Sequence, residues 1–62
     1  MMYLIYGKRL TDKRWEACDL ANGTFTNRLL YASMFQYKIQ AQEIADKLNE
    51  LEPDLEFQVR RR

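Results

Sequence analysis

Hydrophobic side chains first gather at residues 2–9 (Met-Tyr-Leu-Ile-Tyr-Gly-Lys-Arg), where aromatic and branched types predict a strand. Tyr3 and Tyr6 stand an odd number of positions apart, so they point to opposite faces of a regular strand and at least one belongs to a core. Leu10-Thr11-Asp12 is short and polar, as a hairpin loop requires. Residues 13–20 alternate weakly, with Trp15 and Ala17 on one face and Arg14 and Glu16 on the other, which predicts a half-buried strand. Asn22-Gly23 follows as a turn, since both residue types tolerate positive φ. Residues 24–35 fit no single period. Thr24-Phe25-Thr26 and Leu29-Leu30-Tyr31 suit extended chain, while Ser33 and Gln36 have capping-box spacing. We read this stretch as an extended segment or a short third strand.

The pattern then changes period. Met34, Tyr37, Ala41, Ile44, Leu48 and Leu51 recur at spacings of three and four, with Ala45 beside them, and predict one amphipathic helix. Gln40, Glu43, Asp46, Lys47 and Glu50 fall on its other side. The helix should start between Ser33 and Tyr37 and stop before Pro53, which disfavours helical geometry in the residue ahead of it. Leu55, Phe57 and Val59 alternate with Glu56, Gln58 and Arg60, a final strand with one buried face. The order β-β-(β)-α-β implies an α+β fold, one helix on a small antiparallel sheet of three to four strands. Leu4, Trp15, Phe57 and Val59 are expected to meet the helix.

At 62 residues the chain has room for one domain, spanning 1–62, with a thin core. A hydrophobic content of 47% argues against disorder. The run Met1–Tyr6 is far short of the roughly 20 residues of a membrane span, and it lacks a basic leader segment and cleavage site. With a free Cys18 and no export signal, the expected location is the cytoplasm, or the host cytoplasm for a phage-encoded chain.

Absent histidines exclude His-based metal sites and Ser-His or Cys-His pairs, and a single Cys excludes an internal disulfide or thiolate cluster. Carboxylates at helical spacing (Glu43 with Asp46 or Glu50) would need burial to act as acids, and they occupy the solvent side. Gly7 and Gly23 are too far apart to form a phosphate loop. The expectation is a protein that is not an enzyme and uses no cofactor or metal.

Ten cations face nine carboxylates overall, a net charge of +1, but they are segregated. Residues 1–31 hold five cations and three acids, residues 32–56 two cations and six acids, and Arg60-Arg61-Arg62 adds three cations. Two binding surfaces emerge. Glu43, Asp46, Glu50 and Glu52 form an acidic stripe suited to a protein partner with a basic surface, with Arg60, Arg61 and Arg62 as secondary contacts; a solubilising face is the plainer account. Tyr3 or Tyr6, Trp15, Lys8, Arg9, Lys13 and Arg14 instead suit single-stranded nucleic acid, the alternative, which the balanced charge and acidic helix oppose. Tyr31, Phe35 and Ile39 lie off the main stripe and are either core or an exposed patch for a homodimer or assembly subunit.

Ala32-Ser-Met-Phe35, Ala41-Gln-Glu-Ile-Ala-Asp-Lys-Leu-Asn49 and Pro53-Asp-Leu-Glu-Phe-Gln-Val-Arg60 together resemble the helix-to-last-strand half of very short phage and mobile-element proteins. Anti-CRISPR inhibitors of host defence are among those proteins. The resemblance implies an inhibitor that acts by binding; these proteins share no site motif, so it assigns no residue a role.

Overall fold

The computed structural model describes residues 1–62 as an α+β fold, a curled antiparallel sheet with one helix on one face. Its elements are β1 (Tyr3–Arg9), β2 (Glu16–Asp19), β3 (Thr24–Thr26), β4 (Met34–Phe35), α1 (Lys38–Leu51) and β5 (Leu55–Arg61). β1 is the hub. Along one edge it pairs with all of β5, from Tyr3 opposite Arg61 to Arg9 opposite Leu55. Two strands share its other edge: β2 takes Tyr6 and Gly7, and β4 takes Tyr3 and Leu4. β3 pairs outward from β2. Ser33 joins β2 to β4, its N–H donating to the Cys18 carbonyl at 2.9 Å and its Oγ accepting the Leu20 N–H at 2.9 Å.

Because β2 leaves β1 so early, the β2–β3 hairpin curls over the helix-side face. The Phe25 ring thereby reaches Phe57 of β5, with centroids 6.4 Å apart. Gly7 lies beneath both rings, and a Cβ there would come within 2.7 Å of Phe25 and 2.9 Å of Phe57. The hairpin turns at Gly23, whose φ of 66° suits a residue without a Cβ, while the Asp19 carboxylate holds the Asn22 backbone and side-chain N–H groups.

The core lies between sheet and helix. Ala41 and Ala45 are fully buried, small enough to bring α1 close to Ile5, Cys18 and Phe57. Tyr3, Leu20, Phe35, Ile44, Leu48, Leu55 and Val59 close the rim. Neither a side-chain cap nor an acidic first turn supports the start of α1, so its stability comes from this packing. Asn49 adds a polar tie: Oδ1 accepts the Phe57 N–H at 2.8 Å and Nδ2 donates to the Phe57 carbonyl at 3.1 Å. β5 pairs only with β1, so this amide takes the place of a neighbouring strand at an otherwise open edge.

Several expectations are corrected. The expected small antiparallel sheet under one helix is present, with the two-residue β4 as an added fifth strand on β1. The strand expected over 13–20 is confined to 16–19. Ser33 and Gln36 form no capping box, because Ser33 is engaged with β2 and the helix cap is Tyr37. Met34 therefore belongs to β4, and Tyr37 and Leu51 are exposed, leaving Ala41, Ile44, Ala45 and Leu48 as the working stripe. Phe57 and Val59 meet the helix-side core, but Leu4 and Trp15 do not. Leu4 shares the opposite face with Ala17, Tyr6 and Arg60 through the alternation of β1 and its pairing with β2 and β5. Of the undecided trio, Phe35 packs on the core while Tyr31 and Ile39 are exposed.

Candidate binding surfaces

The outer side of α1 carries Ile39, Glu43, Asp46 and Glu50 at spacings of four, three and four, all exposed. Asp46 accepts a hydrogen bond from the Gln42 amide at 2.9 Å. None of the three carboxylates is ion-paired; the one salt bridge joins Lys8 to Glu56 at 3.4 Å. Glu52 forms the exposed C-cap of the helix, its N–H donating to the Leu48 carbonyl at 2.9 Å. Its side chain lies away from the stripe, at a cleft of about 290 Å³ whose walls include Leu20, Phe25, Leu48 and Phe57. Cys18 lies at that cleft, and burial pushes its thiol up to about 11, which keeps it protonated and poorly nucleophilic near neutral pH.

The helix-free face of the sheet is different in kind. Arg60 places its guanidinium 4.8 Å from the Tyr6 ring centre and 5.1 Å from that of Trp15. The Lys8 ammonium stands 5.3 Å from the Trp15 ring, on the side where it also meets Glu56. The Arg60 Nε further donates to Gln58 Oε1 at 2.9 Å, which fixes the guanidinium over the rings. Arg62 lies near the same edge, its Nη1 3.7 Å from the Met34 sulfur. Beside Tyr6 and Trp15 runs a groove of about 150 Å³, walled by Arg14, Glu16, Thr26, Asn27 and Leu29.

The acidic residues expected at a partner surface thus divide, with Glu43, Asp46 and Glu50 on one stripe and Glu52 apart. The arginines divide too. Arg60 and Arg62 accompany the sheet face, whereas Arg61, opposite Tyr3, alternates to the helix side. Of the expected aromatic-cation set, Tyr6, Trp15, Lys8 and Arg14 converge. Tyr3 packs on the core, and Arg9 and Lys13 are exposed on or beyond the end of β1. Arg60 was legible for this face only through strand parity: an even-numbered residue of β5 pairs with an even-numbered residue of β1 and shares its side.

No group of three or more Cys, Asp or Glu side chains converges in a way that would hold a metal ion. No helix is long and apolar enough to cross a membrane. Comparison with protein-family models, with curated proteins and with solved structures returns no match.

Proposed function

We propose that this chain is a non-enzymatic binding module and that its working surface is the helix-free sheet face, which takes an anionic partner. The observation that supports this reading is the convergence of Arg60 and Lys8 on Tyr6 and Trp15, from two strands and the chain leading into a third. The Arg60 guanidinium, stacked on both rings and tied through Nε to Gln58, is held in place while its outer N–H groups stay free to donate. An anion meeting them forms charge-assisted bonds at little ordering cost. Titration with heparin, a flexible polyanion, tests the reading through Trp15 fluorescence, Trp15 being the chain's one tryptophan. A spectral change that weakens as salt rises supports it. Heparin binding unaffected by the double charge reversal Arg14→Glu with Arg60→Glu would overturn it.

A second reading rests on a separate observation, the exposed and unpaired stripe of Glu43, Asp46 and Glu50 beside Ile39. In it, the helix docks on a basic surface of a nucleic-acid-handling protein, as an anti-CRISPR-like phage inhibitor in the host cytoplasm would. An apolar anchor flanked by charges of one sign suits a protein interface. Reversal of Glu43, Asp46 and Glu50 to Lys tests it: captured partners should be lost while circular dichroism is unchanged. Partners retained by the reversed protein would sink this reading and leave the sheet face untouched.

A further inference from the structure

We infer that the anion taken by the sheet face is single-stranded nucleic acid, with one base held in the groove beside Tyr6 and Trp15; this rests on the sheet-face reading above. The groove, of about 150 Å³, matches the volume of an engineered protein cavity that holds benzene, which is room for one flat ring. Tyr6 and Trp15 line it, and neither Arg60 nor Lys8 is among its walls, so the cations over the two rings leave the groove itself open. Bases stack on such rings whatever their identity, because every base has a π-face. Asn27 on the walls offers an amide to a base edge, beside the Thr26 hydroxyl that the Arg28 backbone holds. Arg14 borders the groove and Arg60 the rings, so the phosphate backbone passes on their side and the base points inward.

The rest of the fold disfavours a duplex. The one helix lies behind the opposite face and carries Glu43, Asp46 and Glu50, so it repels a major groove. An acidic peptide would satisfy the arginines but would leave the aromatic groove without a planar guest. The cations not paired with a carboxylate on this face are Arg14, Arg60 and Arg62, because Lys8 is shared with Glu56. Three phosphate contacts give a slope of log affinity against log salt of about −2 for a single strand.

The experiment is fluorescence anisotropy with a labelled single strand of about twelve nucleotides, within the roughly 4–16 that one small domain covers. Parallel arms use an abasic deoxyribose-phosphate strand of equal length, the matching duplex, heparin and poly-glutamate. The inference predicts binding to the single strand with quenching of Trp15 and a salt slope near −2. It predicts clear weakening on the abasic strand and a loss of about 5- to 150-fold in Trp15→Ala, the range expected from removing one stacked base. Trp15→Phe keeps an aromatic face and should recover part of the affinity; its circular dichroism checks the fold. Equal binding of intact and abasic strands, or of poly-glutamate, overturns the base site and leaves the anion surface standing. A preference for duplex also overturns it. If neither heparin nor any strand binds, both readings fall together.

Discussion

Asn49 presents the sharpest test of how this sheet is held. Its amide satisfies the Phe57 N–H and carbonyl at 2.8 and 3.1 Å, across the turn that carries Pro53. Each hydrogen bond contributes about 0.5–1.5 kcal/mol net, so the pair contributes about 1–3 kcal/mol. Replacement by Ala removes both but improves helix propensity by up to about 0.7 kcal/mol. Asn49→Ala should therefore destabilise the fold by about 0.3–2.3 kcal/mol. At 4–8 °C per kcal/mol for a domain of this size, the middle of that range lowers Tm by about 5–10 °C. Asn49→Asp is the companion variant. It keeps the acceptor for the Phe57 N–H but sets a carboxylate oxygen against the Phe57 carbonyl, so it should not rescue stability. Urea unfolding gives the free energy, and hydrogen exchange at the Phe57 amide localises it. An Asn49→Ala protein as stable as the parent, with the Phe57 amide equally protected, would refute the role of strand surrogate.

Other outcomes follow from the same packing. Gly7→Ala drives a Cβ to 2.7 Å from Phe25 and 2.9 Å from the buried Phe57, and should cost about 1–3 kcal/mol by overpacking in urea unfolding. Adding Phe25→Ala should recover part of that loss by vacating one of the two rings, and no recovery would argue against the close approach. Ser33→Ala removes the acceptor for the Leu20 N–H at 2.9 Å, and should cost about 1 kcal/mol with faster exchange at the Leu20 amide. The Cys18 thiol ionises near 11 when folded against 9.0 ordinarily, so above pH 9 the unfolded chain releases a proton that the folded chain retains. Stability should fall as pH rises from about 9 through 11, and Cys18→Ala should lack that component of the decline. Equal alkaline loss in both proteins would contradict it.

The helix was readable because Ala41, Ile44, Ala45 and Leu48 bury one stripe and nothing else competes for them. The last strand was readable for the same reason, as Phe57 and Val59 alternate with polar neighbours. Leu4 was misplaced because Leu4-Ile5 is a continuous apolar pair: when both faces of a strand are buried, alternation disappears and with it the sidedness. Trp15 shares a face with Ala17, as the alternation predicts, and was misplaced because that face of β2 turns away from the helix. The capping-box spacing at Ser33 misled because a serine Oγ can accept only locally available donors, and the β2 backbone took it first. Tyr6, Trp15, Lys8 and Arg14 were visible as an aromatic-cation set. Arg60 could join them only through the register of β5 against β1, a pairing between opposite ends of the chain.

That pairing sets the order of assembly. β1 is made before every other strand of the sheet, yet its principal neighbour begins at Leu55. Until synthesis has passed Arg61, the apolar Leu4-Ile5 segment has no long strand beside it, and the hairpin and helix lack the platform on which they lie. Folding should therefore be nearly all-or-none and late, and nascent chains arrested before β5 should be cut by protease while chains carried beyond it resist.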